Sequence, residues 1–316
     1  MRLPIRFNLA GWPRCLMRRF ATSDPRPLAY DPSALSPAEF SGGVTALQFD
    51  GIYKTTYPGR HEQSTRFVAE LYRQSTPVIL DVGASDGSTS VDLIRALGSN
   101  FGRYFVTDLT LSALCGYDSR GIVYFLDKNG QCMLRASNSF IVYSNTKGAW
   151  APLALFSNIL MCRYRNVANW HDVLLIQPEL LRLSTGDQRI TIERYDMFTP
   201  WTGPRPDLIK VANLLTSEYF SDAQIREALR VQYSTLARHG RLLLIAQDNG
   251  VERFSVFRKR VTGMELEHAY AGGVGQWLTE AAVAIVEEIP GQQRVTLGAD
   301  KGYDRKELLK ELRAMS

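Results

Sequence analysis

Residues 78–97, VILDVGASDGSTSVDLIRAL, constrain the fold of this 316-residue chain more than any other stretch, because strand, glycine turn and helix follow one another without interruption. Val78, Ile79 and Leu80 are the apolar run of a strand buried on both faces of a parallel sheet, and Asp81 closes it on a polar position. Gly83 and Gly87 supply positive φ and close backbone approach. Ser88 or Thr89 offers a helix cap, and Val91, Leu93, Ile94 and Leu97 give the helix one apolar face. An α/β fold is expected, with a ligand at the carboxyl end of the strand, where backbone N–H groups are free.

The composition of the turn narrows the ligand. Dinucleotide sites use Gly-x-Gly-x-x-Gly, whereas here Gly83 is followed by Ala84 with no second glycine two residues on, and Asp86 stands beside Gly87. A pyrophosphate would be repelled by Asp86 and Asp81, which argues against a nicotinamide oxidoreductase. Downstream, residues 103–108 read as a second strand ending in Asp108, about 25 residues past Gly83 and near the spacing of a ribose-binding carboxylate.

The run Asp81-Val-Gly83-Ala84-Ser85-Asp86-Gly87 resembles the first motif of the class I, Rossmann-like S-adenosylmethionine-dependent methyltransferases, whose ligand carries a sulfonium and an ammonium but no phosphate. The resemblance implies an α/β sheet with flanking helices, an antiparallel terminal hairpin and S-adenosylmethionine as cofactor. It implies a binding set of Asp81, Gly83, Ala84, Ser85 and Gly87, then Asp108 and Leu109, then Asp196, Met197 and Asn213. In this set Asp108 takes the ribose hydroxyls, Asp196 accepts from the adenine amine and Met197 lies against the ring. Residues 206–245 look like the second half of such enzymes, with the nearest phrase in chemotaxis receptor methyltransferases. The resemblance covers roughly residues 70–110 and 189–290. Nothing marks a receptor-binding subdomain, so a protein-glutamate substrate is not implied.

The implied chemistry is in-line attack by an oxygen, nitrogen or carbon nucleophile on the cofactor methyl, with donor and acceptor held about 3–3.5 Å apart. Lys210 and Asn213, at the end of the fourth expected strand, are the catalytic candidates; equally, Lys210 points off the sheet and Asn213 caps the next helix. Tyr57 and Arg60 either reach the methionine carboxylate or form a surface loop. There is no Ser/His/Asp set for a hydrolase. Cys15, Cys115, Cys132 and Cys162 contain no Cys-x-x-Cys pair and the four histidines are dispersed, so no metal site is expected. The other readings are a non-catalytic nucleoside-binding or sensing protein and a protein methyltransferase.

Between Asp108 and residue 189 the chain is too long for one helical crossover, which marks an insertion at about 111–188. Asp127-Lys-Asn-Gly130 between apolar runs predicts a β-hairpin, with residues 140–143 as a third strand. Residues 150–162 are an apolar run too short to span a bilayer and read as core helix, lid or membrane-surface helix. Residues 253–259 and 264–270 predict an antiparallel pair, and residues 277–286 fit strand or helix equally.

Residues 1–40 read as a basic arm and proline-rich linker, 41–300 as the main domain with its inserted cap, and 301–316 as a helical tail. The chain is 45% hydrophobic and 22% charged, as soluble enzymes are. Its net charge of +5 lies wholly in residues 1–23, where five arginines meet no acid. The rest is neutral and carries no strong nucleic-acid signal. The expected partner is a small-molecule or lipid-like acceptor, with membrane-surface contact through residues 1–23 or 150–162 as a further expectation. The expected location is cytoplasmic, the arginine-rich start offering mitochondrial or membrane-surface alternatives.

Overall fold

The computed structural model describes residues 4–11, 21–49, 52–127, 129–144, 151–167 and 169–285. The expected tail at 301–316 lies outside them. The described chain is built on two seven-stranded sheets, with a two-stranded ribbon of β3 (Gln48–Phe49) and β4 (Ile52–Tyr53).

The first sheet has five parallel strands. β5 (Val78–Val82) is flanked on one side by β6 (Arg103–Asp108) and β12 (Ile190–Arg194), and on the other by β13 (Leu208–Ala212) and β14 (Arg241–Asp248). The chain moves outward in one direction through its first three strands and then jumps back past β5. The reversal falls between β5 and β13, where open α/β sheets leave a crevice at the carboxyl ends of their strands. β15 (Val251–Arg260) and β16 (Gly263–Tyr270) continue the sheet antiparallel, as expected.

Strand alternation distributes the core to both faces. Leu80, Val82, Ile209, Val211, Leu242 and Leu244 meet Ile225, Ala228 and Leu229 of α6 (Asp222–Thr235) and Ala281 and Ala282 of α7 (Gln276–Val283). The alternate set Ile79, Tyr104, Val106, Leu208, Leu243 and Ile245 meets α2 (Glu62–Leu71), α3 (Ser88–Leu97) and α5 (Pro178–Gly186). Residues 276–283, ambiguous in sequence, are thus helical because they close the α6 face.

The second sheet runs β11-β7-β8-β9-β10-β1-β2, from β7 (Ser112–Tyr117), β8 (Val123–Leu126), β9 (Cys132–Ala136), β10 (Phe140–Tyr143) and β11 (Trp170–Leu174) with β1 (Ile5–Asn8) and β2 (Ala21–Thr22). The hairpin at Asp127 is present: Asp127 Oδ1 accepts from Asn129 N and Gln131 N, and Gly130 takes φ 75°.

Two boundaries differ from the expectation. The inserted strands end at Leu174, and α5 returns to pack beside α3, so it is the crossover helix of the first sheet and no part of the cap. Nor is the amino terminus simply an arm and linker. Ile5, Arg6 and Phe7 pair with Val142, Ile141 and Phe140, while short 3-10 turns at Arg26–Ala29 and Pro32–Ala34 lead into α1 (Pro37–Ala46). Prolines at the first helical positions favour such starts, and Leu28, Phe40, Val44 and Leu47 are buried against one face of the second sheet.

The apolar run forms α4 (Ala151–Met161) on the opposite face of that sheet, where Met161 is buried among Tyr124, Leu126 and Val142 and Ser157 Oγ donates to Tyr143 O at 2.8 Å. Its outer side, with Leu155, Phe156 and Ile159, is exposed, so it is not a helix buried within the core. α1, on the other face, is the element that touches the glycine turn, through Ser41.

Candidate active site

The turn after β5 has the backbone its glycines foretold. Gly83 and Gly87 lie at φ 69° and 82°, and Ser85 between them at 62°, a left-handed conformation that costs a non-glycine residue about 1–2 kcal/mol. The space above the glycines belongs to the protein. A Cβ on Gly83 would fall within 2.5 Å of Leu214 Cδ2, and one on Gly87 within 2.2 Å of Leu180 Cδ2. Here close approach serves leucine packing, a correction to the idea that the glycines make room for ligand. Ala84 is buried in the core, and its N donates to Thr107 O at 2.9 Å.

The helix is capped otherwise than expected. Gly87 is the N-cap, and it is Asp86 that accepts, at Oδ1, from Ser88 N at 2.8 Å and from Ser88 Oγ at 2.7 Å. Ser41 Oγ donates to Asp86 Oδ2 at 2.5 Å. Burial pushes this carboxyl upward against those hydrogen bonds. Asp86 therefore stitches α1 to the turn and does not line the crevice.

Asp81 and Lys210 are corrected together. Alternation turns Asp81, with Ile79, toward α3, and it turns Lys210, with Leu208, to the same side. Lys210 Nζ donates to Asp81 Oδ2 at 2.8 Å and to Thr89 Oγ1 at 3.0 Å, at exposures of 2% and 1% for the pair. Ser90 Oγ and Tyr104 OH also donate to Asp81 Oδ2. Both side chains are buried and spent on this network, so neither is presented to the crevice as the sequence reading expected. The repulsion of a pyrophosphate by Asp81 and Asp86 loses its basis with them.

Asp108 does stand at the crevice. Its Oδ2 accepts from Ser85 N at 2.9 Å, and its Oδ1 from Thr110 N at 2.9 Å and from Lys54 Nζ at 2.6 Å. The Lys54 pair is largely buried, at 7% and 13%. Leu109, beside it, is exposed, and its carbonyl accepts from Arg194 Nε. Asp196 accepts from Phe198 N at 3.0 Å in a turn just past β12, half-buried. Met197 is buried in the α6-side core, and its carbonyl accepts from Gln232 Nε2.

Asn213 occupies the end of β13 at φ 53° and does not cap the next helix, which Ser221 and Gln224 cap as a reciprocal box. Its Nδ2 lies 2.9 Å from His61 Nε2. Burial first, then Lys210 and Arg60, push the His61 pKa down to about 2, so its imidazole is neutral. With Nε2 facing an amide donor the proton sits on Nδ1, which is buried with no partner. Arg60 Nε donates to Gln247 Oε1 at 2.8 Å, and Gln247 Nε2 to Tyr57 OH at 3.2 Å.

Residues 54–61 thus run across the carboxyl ends of β6, β13 and β14, joined to each by Lys54, His61 and Arg60. Lys54 and His61 were not singled out from sequence, because no motif surrounds them and only the fold brings them to the crevice. Two buried polar atoms there lack partners, Ser85 Oγ and His61 Nδ1. Ser85 and Asn213, both non-glycine residues at positive φ, occupy the loops on either side of the strand reversal.

No protein-family model and no curated protein matches the chain. Solved structures do. An O-methyltransferase family protein of Burkholderia thailandensis matches at 11% identity and TM-score 0.31, over 58% of this chain and 37% of that one. The N-methyltransferase NodS of Bradyrhizobium japonicum, in complex with S-adenosylhomocysteine, matches at 15% and 0.33, over 64% and 70%. Human N-acetylserotonin methyltransferase, in complex with S-adenosylmethionine, matches at 13% and 0.28, over 58% and 33%. The chain spans 37% and 51% of the first two structures it matches. Likeness at this level carries no inference about activity.

Proposed function

We propose that the chain is an S-adenosylmethionine-dependent methyltransferase acting on a small-molecule or lipid-like acceptor. The observation that carries the reading is the juxtaposition, at the strand reversal, of the strained Ser85 with its unpartnered buried hydroxyl and the Asp108 carboxylate that Ser85 N orients. A partnerless buried hydroxyl costs about 1–3 kcal/mol. Strain and an orphaned polar atom in one residue are what a pre-organised nucleoside site retains.

The bound cofactor supplies an activated methyl on a sulfonium. Around it, Asp108 holds a ribose hydroxyl pair, sharing its carboxylate with Lys54, and Ser85 Oγ gains the partner it lacks. Asp196 stands at the adenine end. At the acceptor side Asn213 orients the nucleophile, and His61, neutral at physiological pH, fixes the Asn213 amide. The exclusion of water falls to residues 54–61 and to Leu214.

One observation favours a second reading. Lys54 already satisfies Asp108, and Leu180 and Leu214 already cover the glycines, as in a protein that keeps the fold without the reaction. Calorimetry with S-adenosylmethionine and S-adenosylhomocysteine, on the parent and on Asp108→Ala and Asp196→Ala, decides between them. Saturable binding weakened by both substitutions is expected, followed by transfer of labelled methyl in an acceptor screen. A folded parent that binds neither nucleoside overturns the methyltransferase reading.

A further inference from the structure

We propose that the cleft at the amino ends of β5, β13 and β14 binds a phosphate group, as the free ion or at the end of a small phosphate ester. The inference is independent of the methyltransferase reading, because in these parallel strands the amino ends lie opposite the carboxyl ends that form the crevice. The cleft encloses about 350 Å³ and is lined by Arg238, Arg241 and Arg258, with Asp207 the only acid among its lining residues.

The backbone brings the three guanidiniums together. Arg241 starts β14 and Arg258 lies directly opposite it on β15, so both side chains leave the sheet on one face. Like charges opposed in this way destabilise a strand pair unless an anion is shared between them. Arg238 reaches the same cleft from the turn that His239, at φ 65°, and Gly240 make between α6 and β14.

The nearby acids leave two of these arginines uncompensated. Glu267 accepts from Arg241 at both oxygens, from Nε at 2.6 Å and from Nη2 at 2.9 Å, and these hydrogen bonds hold its carboxyl below the ordinary range. Glu265, the register partner of Arg258 on β16, is turned instead to Arg260 Nε at 2.6 Å. Arg258 Nη1 therefore stands 3.9 Å from Glu267 Oε1, and Arg258 Nε is buried without a partner. The Arg238 side chain is exposed and, among the described residues, makes no hydrogen bond or ion pair. Asp207 accepts at Oδ2 from Val78 N at 2.9 Å, so Asp207 and Glu267 set two negative charges against three positive ones.

The excess falls on Arg238 and Arg258, and it selects an oxyanion that accepts from both. A planar guanidinium fork fits phosphate oxygens in pairs. Ser75 and Thr76, also lining the cleft, add hydroxyl donors. Burial pushes the Tyr72 hydroxyl up to about 12, so it stays protonated and adds no negative charge. Because Asp207, Glu265 and Glu267 border the arginines, the positive potential is confined to one cleft. That suits a single phosphate and not the repeating backbone of a nucleic acid.

The test is calorimetric titration of the full chain, in phosphate-free buffer of low ionic strength, with inorganic phosphate, ribose 5-phosphate and acetate. The parent is compared with Arg238→Gln, with Arg258→Gln and with Arg230→Gln, which removes the same charge from an exposed position on α6 outside the cleft. The parent is expected to bind one phosphate probe per chain at least about tenfold more tightly than acetate, and less tightly as salt rises. Arg238→Gln and Arg258→Gln should each weaken binding about tenfold, and Arg230→Gln by less than about twofold. Tighter binding of ribose 5-phosphate assigns the cleft to an ester, and equal binding of the two assigns it to the free ion. Arg238 is exposed, so its variant keeps the fold; should Arg258→Gln melt early, Arg238→Gln alone carries the test. Absence of saturable phosphate binding, equal affinity for acetate, unchanged affinity in Arg238→Gln, or an equal loss in Arg230→Gln overturns the proposal. So does binding of a single-stranded oligonucleotide without binding of either small phosphate.

Discussion

Two lysine–aspartate pairs stand in the first sheet, one inside it and one at its rim, and they differ in nearly everything but their chemistry. Lys210 and Asp81 lie on adjacent strands under α3, both essentially inaccessible, with Ser90, Tyr104 and Thr89 completing the network. Lys54 and Asp108 meet at the crevice, where a strand end receives a segment that precedes the sheet in sequence. The inner pair is held from all sides. The outer carboxylate is held by two backbone N–H groups and one long side chain that can move. Burial on all sides makes the first pair part of the framework, whereas the second, at the strand ends, keeps a little solvent access.

The largest effect should come from breaking the inner pair. Lys210→Met leaves Asp81 buried and unpaired and is expected to cost about 3–5 kcal/mol, read as a fall in the urea midpoint. The double variant with Asp81→Leu should recover most of that loss, since the charge goes with its partner. At the rim, Lys54→Met should cost about 1.5–3 kcal/mol. It should also tighten S-adenosylhomocysteine about tenfold by freeing Asp108, a gain of about 1.4 kcal/mol. Unchanged affinity in that variant would break the contrast between the pairs.

Acid sharpens the comparison from a neighbouring group. The His61 pKa of about 2 lies far below the usual 6.5. The unfolded chain therefore binds a proton that the folded chain refuses. The stability linked to His61 is complete above pH 6.5 and falls as pH drops from there toward 2, by at most about 1.4 kcal/mol per pH unit. Denaturation curves across that window should flatten in His61→Gln. The smallest effect is expected at Ser85: its change to glycine relieves the left-handed strain and removes the orphaned hydroxyl, raising stability by about 1 kcal/mol while weakening nucleoside binding.

The strand, turn and helix of residues 78–97 were legible because apolar runs, glycines and a helical stripe signal their structures locally. The hairpin at Asp127 was legible for the same reason. The direction of the acidic side chains was not. Asp81 and Asp86 look like ligand contacts in a linear motif, yet strand alternation sends Asp81 under α3, and Ser41, 45 residues earlier, draws Asp86 into the interior. Asp108 was legible as the acid that ends the second strand, while its partner Lys54 bears no local mark.

By itself the sequence determined an α/β sheet, the position and backbone of its glycine turn, the carboxylate at the end of the second strand and the short apolar helix of residues 151–161, all of which follow from periodicity and backbone preference over a few residues. Tertiary structure alone decided that the amino terminus joins the inserted strands in one sheet, that α4 exposes its apolar face, and that residues 54–61 bring Lys54 and His61 over the crevice. These are pairings between segments distant in the chain. They are chosen by which surfaces bury together, and no local preference encodes that choice.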